Sequence, residues 1–358
     1  MKIGYCPISK NLEAPGDYRR FIGYAKKKNL SIEILFPEKL YNIKDGQYDV
    51  IVVTMASDLY FWSNVEFSKT KIIFDCVDSY IFLNSMGFKN ALRAPAKFFS
   101  RQHSGFAFSY LNLIKNIAKK SFSIVCSTED QKKFFLNYCK DVVISLDYHE
   151  DHILKKKIDF TLKNENEINL VWEGLPHNIV YSDEAQNIIN FMNYANKKKI
   201  FSKKIILNVI TDLYYYKYLN KYFLKNTYSE LLKKTQYINF FEWNKLNFFE
   251  NITSNDIALI PLSQRNPMEY GKPSNKLFLF YKMNMPVIAS ATPAYRSIEN
   301  QLNHKVTFEN IEGFHSLIDH YLLKSENRQK YVEDAKLFIN REYPENLISK
   351  SWDNAIHH

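Results

Sequence analysis

The chain has 358 residues, 46% apolar and 16% aromatic, with 48 Lys+Arg against 38 Asp+Glu and a net charge of +10. This is a globular composition that excludes a disordered chain, and 9 Gly with 11 Pro exclude collagen-like and Pro/Gly-rich low-complexity sequences. No internal period of about 20 to 50 residues marks a solenoid or propeller, and at about 150 residues per domain the length predicts two domains.

The first residues, MKIGYCPI, enter a strand-like run without a basic-then-apolar leader. No stretch approaches the roughly 20 apolar residues of a membrane-spanning helix. Cys6, Cys76, Cys126 and Cys139 lie mostly in apolar runs without CxxC pairing, so reduced, buried thiols are expected. A soluble, cytoplasmic protein follows, whose positive balance suits anionic partners or a Lys-rich solvated surface.

Short β-rich runs open the chain: Lys2 to Ile8, Leu30 to Phe36, Tyr48 to Met55, Lys71 to Val77, Ser121 to Ser127 and Val142 to Tyr148. Helical stretches such as Asp17 to Lys28 and Glu129 to Lys140 lie between them, which predicts a parallel sheet covered on both faces. Glu150 to Glu167 is polar and aperiodic, as a linker would be. The alternation then restarts at Ile168 to Trp172, Lys204 to Ile210, Tyr237 to Phe241, Ile257 to Pro261, Pro286 to Ser290 and Lys305 to Phe308. From about Asn327, apolar residues at helical spacing predict closing helices. The expected architecture is α/β, with two Rossmann-like doubly wound domains facing a central cleft. They are placed at 1–160 and 161–325, with helices at 326–358 packing back across both.

In such sheets ligands bind beyond the carboxyl ends of the strands. The sharpest candidate is MEYGKPSNKLFLFYKMNMPVIASATPAY, Met268 to Tyr295. Gly271 and Pro273 mark a loop, Ser274 or Asn275 can cap the next helix, and Lys272 and Lys276 place cations near its start. A helix N-terminus with added cations suits a phosphate, and a capped helix with solvated lysines fits the same pattern.

This segment resembles the nucleotide-sugar-binding helix of GT-B glycosyltransferases of the retaining family 4, or group 1, type, many of which build surface polysaccharides. INFFEWNKLNFFENITSNDIALIPL, Ile238 to Leu262, resembles that family's base-contacting loop and following strand. LVWEG, Leu170 to Gly174, resembles the strand and turn that open its donor domain, and KIIFDCVDSY resembles an acidic strand end of several polysaccharide enzymes. The family's ribose-binding Glu falls on Leu279, and Glu269 and Tyr270 sit near its earlier Glu without the spacing, so ribose recognition must differ or the donor site is altered.

The resemblance implies transfer of a sugar from a nucleotide-sugar donor to a glycan or lipid-linked acceptor, as in lipopolysaccharide or capsule synthesis, with no metal and no cofactor beyond the donor substrate. It implies donor contacts at Glu173, Gly174, Lys272, Ser274, Asn275 and Lys276, with Lys276 also stabilising the leaving group. Gly16, Arg19 and Arg20 follow from the first domain. Trp243 is placed at the nucleobase, or in the core. An inverting enzyme needs a general base, for which Asp17, Asp78 and His103 are the candidates; Asp75 and Asp78 equally suit a turn or helix cap. Arg93, Lys97 and Arg101 recur every four positions beside Phe98, Phe99, Phe106 and Phe108, which suits an anionic membrane surface or a solvated helix face interrupted by Pro95. His149 and His152 in HEDH read as linker and not as metal ligands.

Two other readings share the fold: a nucleotide-sugar epimerase, for which only Glu173 and His177 are at hand in the second domain, and a catalytically inactive scaffold, for which Leu279 speaks. A basic nucleic-acid-binding module is disfavoured because the aromatics follow burial patterns and no recognition motif occurs. No P-loop, GxSxG elbow or GxGxxG after the first strand is present.

Overall fold

The computed structural model describes residues 1–82, 88–149, 152–218, 222–302 and 304–357, with backbone alone at 88–91 and 322–323. Glu150 and Asp151 of the HEDH run lie outside the described residues. The chain divides into two compact units, Met1–Tyr148 with Gly271–Pro273 and Tyr343–His358, and His149–Tyr270 with Ser274–Glu342.

In the first unit, β1 (Ile3–Cys6), β2 (Ile32–Ile34), β3 (Val50–Thr54), β4 (Lys71–Cys76), β5 (Ser123–Cys126) and β6 (Val142–Ile144) form one parallel sheet in the order β2-β1-β3-β4-β5-β6. Runs such as VIVVT are buried along their whole length because β-branched side chains pack on both faces of a covered sheet. On one face Ile3, Tyr5, Val50, Val52, Ile73 and Val125 meet Phe21, Tyr24 and Trp352. The Trp352 ring lies 5.2 Å from Phe21 and 6.0 Å from Tyr24, so the last helix, Glu345–His357, closes this core.

The second unit repeats the plan. β7 (Glu167–Glu173), β8 (Lys204–Thr211), β11 (Ile238–Glu242), β12 (Ile257–Ile260), β13 (Val287–Ser290) and β14 (Thr307–Phe308) run parallel in the order β11-β8-β7-β12-β13-β14. An antiparallel hairpin, β9 (Tyr214–Tyr218) with β10 (Tyr222–Asn226), stands apart from that sheet. Helix Asp183–Lys198 buries Ile188, Ile189, Met192 and Ala195.

Three expectations are corrected. The helix expected over Asp17 to Lys28 is two helices, Pro15–Tyr18 and Phe21–Lys27, because Arg20 leaves helical geometry with φ −116° and ψ −114° and turns into the core. The segment expected to be a free linker is pinned to the second unit: Lys157 N–H donates to the Met283 carbonyl at 2.9 Å, its Nζ to the Asn255 carbonyl at 2.7 Å, and Arg328 Nε to the Phe160 carbonyl at 2.9 Å. These bonds move the boundary from 160 to 148. The closing region also divides: helix Ser325–Glu342 joins the second unit, where Tyr331 packs on Tyr281, and only Glu345–His357 joins the first. All four cysteines are buried and unpaired.

Candidate functional site

The strands of the second sheet deliver a set of polar groups at their carboxyl ends. β7 ends on Glu173 and runs into Gly174, whose φ of +149° lies where side-chain-bearing residues are strained. A Cβ there would also stand 2.9 Å from the Trp172 ring and 3.3 Å from Lys276 Nζ, so the turn takes glycine for two reasons. Thr211, at the end of β8, donates its hydroxyl to the Gly174 carbonyl at 2.6 Å, and its own carbonyl accepts from Trp243 N–H at 3.0 Å. Trp243 follows β11 and is 37% exposed, so the core alternative for its ring does not hold.

Helix Asn275–Lys282 starts beside this turn. Lys276 Nζ donates to the Glu173 carbonyl at 2.7 Å and lies 2.9 Å from Glu173 Oε1, so its ammonium is fixed over the end of β7. Ser274 occupies the N-cap position but its side chain makes no cap hydrogen bond, contrary to the cap expected there. After β13, Thr292 is wholly buried and its hydroxyl meets no partner among the described residues. Sequence reasoning missed Thr211 and Thr292, since a single Thr after a strand carries no pattern.

Glu269 turns out to be a loop organiser. Its buried carboxylate accepts from Ser263 N–H at 2.8 Å, Ser182 Oγ at 3.0 Å and Asn266 Nδ2 at 3.0 Å. Leu279 is 3% exposed between Phe278 and Phe280 on a helix that buries residues 277–281 throughout. A carboxylate at that position would face apolar atoms, so any ribose contact in this chain comes from elsewhere.

The first unit sorts its candidates differently. Asp17 accepts from Tyr5 Oη at 2.8 Å, Ile8 N–H at 2.7 Å, and Ser9 N–H and Oγ at 2.9 and 2.8 Å. Four donors occupy both oxygens of this fully buried carboxylate, which ties down the loop after β1 and leaves no site to take a proton from a substrate. Gly16 sits in the same short helix, against the Ile8 side chain. Arg20 is likewise structural: it is wholly buried, with Nη2 2.6 Å from Asp75 Oδ1 and Nη1 2.9 Å from the Ser145 carbonyl. A donor phosphate cannot reach it. Arg19 is nearly buried, its guanidinium over the Tyr18 ring at 5.2 Å, with Nε unpartnered among the described residues.

His103 is buried and stacked on Tyr110 at 5.9 Å with 10° between the rings. Burial pushes its pKa down to about 4, so it is neutral near pH 7 and a weak base. Asp78, just beyond β4, is exposed. Its surroundings nonetheless desolvate it and hold its carboxyl above the ordinary range, against the opposing charges of Lys272, Arg93 and Arg20. Among the three base candidates Asp78 alone combines access with a raised proton affinity.

Helix Phe88–Phe99 runs through Pro95 without interruption. Phe98 and Phe99 at its end and Phe106 and Phe108 beyond it form a run of ring contacts at centroid distances of 5.0 to 6.5 Å, with Phe99 73% and Phe108 81% exposed.

No family model matches the chain, and no curated protein matches it in sequence. Among solved structures it is similar to a TarM variant of S. aureus in complex with fondaparinux, α-GlcNAc-glycerol and UDP, with TM-score 0.58 and 12% identity over 89% of this chain and 58% of that one. It is also similar to a trehalose-6-phosphate protein from E. coli bound with UDP-2-fluoro glucose, with TM-score 0.56 and 12% identity over 90% and 76% of the two chains. A third is the N-terminal domain of trehalose-6-phosphate phosphatase of Candida albicans, with TM-score 0.57 and 8% identity over 99% and 96%. The chain thus spans less than three fifths of the TarM chain. At these identities the likeness is one of fold: two tandem Rossmann-like units, the GT-B fold.

Proposed function

We propose, from the GT-B fold together with the strand-end groups of its second unit, that this chain is a glycosyltransferase. It takes a nucleotide-sugar donor at the carboxyl ends of β7, β8 and β13 and passes the sugar to a glycan or lipid-linked acceptor of surface polysaccharide synthesis. The observation that carries the reading is Lys276: an ammonium fixed at a helix start, over the glycine turn that ends β7. Departure of a nucleoside phosphate develops negative charge, and a positioned cation with helix N–H groups stabilises it without reorganisation, so a metal is not needed for this step. Glu173 holds that cation, and a diphosphate would compete for it. Trp243 offers an exposed ring for the base. Both TarM and the E. coli protein were captured with uridine diphosphate groups, which makes UDP the first nucleotide to try.

If the transfer inverts the anomeric centre, Asp78 is the base: its raised pKa suits uptake of the acceptor's hydroxyl proton. The exposed phenylalanines beside Lys97 and Arg101 favour docking on an anionic bilayer, where a lipid-linked acceptor resides.

The test is a thermal-shift panel of UDP, GDP, CMP, dTDP and ADP with their sugars, on the parent chain and Lys276→Ala. Saturation at about 100 times the dissociation constant stabilises a protein by about 2.7 kcal/mol. A shift from one nucleotide in the parent alone supports the donor site; no shift from any of them removes it.

A further inference from the structure

The second unit holds a cavity of about 510 Å³ lined by residues of β7, β8 and β11 that precede Glu173, Thr211 and Trp243 along the chain. Its floor is the face of the sheet that carries Asn169 on β7, Asn208 on β8 and Asn239 on β11, with Asn208 and Asn239 directly paired in register. A covered Rossmann sheet takes apolar residues at such positions, as the flanking Val171, Ile206 and Ile210 do. Buried Asn208 departs from the pattern that otherwise builds this sheet, whereas Asn239 on the edge strand is exposed.

The amides form a directed chain. Asn239 Nδ2 donates to Asn208 Oδ1 at 2.9 Å, and Asn208 Nδ2 donates to Asn169 Oδ1 at 3.2 Å and to Asn255 Oδ1 at 2.6 Å. Asn208 and Asn255 are buried, and Asn255 gives its own Nδ2 to the Asn251 carbonyl at 2.5 Å. The ends are different: no protein acceptor takes Asn169 Nδ2, and Asn239 keeps its second N–H and its oxygen, among the described residues. Two amides bonded into this chain therefore keep unused donors and an unused acceptor while lining a space larger than a few waters need. Beside them Phe241, two residues along β11 and so on the same face, is half-exposed, and Lys163 lines the same cavity with Glu165 and Glu167, an excess of negative charge.

The geometry points to a second binding site here, for an uncharged sugar residue of a glycan chain. Hydroxyl groups donate and accept, as primary amides do, and the apolar face of a sugar ring packs on an aromatic side chain. Two carboxylates against one ammonium disfavour an anion. A nucleobase is less suited, since a flat ring gains most between two faces and Phe241 supplies one. Such a site would hold a growing polymer on the enzyme between transfers, a role that rests on the glycosyl-transfer reading, and it uses none of the residues assigned to the donor, which follow Asn169, Asn208 and Asn239 at the strand ends.

The experiment is saturation-transfer NMR with maltoheptaose, chitotetraose, galactotetraose and adenosine on the parent chain, Asn239→Ala and Phe241→Ala, both exposed positions. We expect transfer to at least one oligosaccharide, with affinity lowered about fivefold to tenfold in each variant, the size of one lost neutral hydrogen bond or ring contact. Thermal shifts by nucleotide should be unaltered in both variants, which separates this site from the donor site. No transfer to any oligosaccharide, equal affinity in parent and variants, or a signal from adenosine alone would overturn the assignment.

Discussion

Arg20 and Asp75 form a fully buried ion pair in which Nη2 lies 2.6 Å from Oδ1 and Nε lies 3.1 and 3.0 Å from the two carboxylate oxygens. Asp147 and the Ser145 carbonyl complete the guanidinium's shell. The pair links the break between the first two helices to the end of β4 and to the segment after β6. Burial opposes the charge on Arg20, and Asp75 and then Asp147 outweigh it, so its pKa is driven further up.

Removing one partner leaves the other charge buried and alone, which typically costs about 3–5 kcal/mol. Arg20→Ala and Asp75→Asn should therefore each lower the denaturant midpoint sharply. Arg20→Met with Asp75→Leu and Asp147→Leu should recover much of the loss. A small effect of Arg20→Ala in urea unfolding would return Arg20 to the ligand-binding role expected from sequence.

The donor site makes a prediction through its own ion pair. Glu173→Gln removes the carboxylate that competes for Lys276, while the backbone carbonyl still holds the ammonium. Nucleotide affinity should rise severalfold in Glu173→Gln and fall about tenfold or more in Lys276→Ala, in line with a charge-assisted bond of about 1.5–3 kcal/mol. Isothermal titration with UDP and GDP decides it; equal affinities in all three proteins would remove Lys276 from the site.

The contrast between Arg20 and Lys276 shows what the sequence made legible. Every strand of both sheets was readable, because runs such as VIVVT and IALI are β-branched, continuous and bounded by polar turns. The hairpin Tyr214–Asn226 was not, since its exposed tyrosines and lysines lack the burial alternation that marks a strand. Lys276 could be located because a basic helix start after a Gly-Pro loop is a local pattern. Arg20 and Asp17 sit in an equally suggestive loop, and their partners lie 55 and 12 residues away, so nothing local marks them as structural. The asparagine row is spread over three strands and invisible until register is known.

Asp78 carries opposite expectations for stability and activity. Its carboxyl is raised, so the folded chain binds this proton more tightly than the unfolded chain does. Through this group, stability is full below the unfolded value, is lost as pH rises through the folded one, and falls no further above it. Asp78→Asn should therefore raise the melting temperature near pH 7 while abolishing transfer if Asp78 is the base. A variant with unchanged activity would assign the reaction to a retaining course without this base.

His103 sets an acid limit. Its folded pKa of about 4 lies below the ordinary 6.5, so the unfolded chain binds the proton first. The contribution is complete above about 6.5 and is lost as pH falls toward 4, by roughly 3 kcal/mol in total. His103→Phe, which keeps the stack on Tyr110, should flatten the stability profile between pH 6.5 and 4. Parallel profiles for parent and variant would show that His103 titrates normally.

Leu279 decides whether the missing ribose carboxylate is a lost function or a settled part of the core. Its side chain is buried, on helix Asn275–Lys282, where residues 277–281 are all buried. Leu279→Ala should cost about 2–5 kcal/mol by cavity formation. Leu279→Glu puts a carboxyl where burial disfavours its charged form, so it should destabilise the chain at least as much, and more at pH 8 than at pH 5. Nucleotide affinity at pH 5, where the variant retains more of its fold, should be no greater than that of the parent. Tighter nucleotide binding by Leu279→Glu with unchanged stability would show instead that the helix can turn this position toward the ligand, and that a single substitution had altered the donor site.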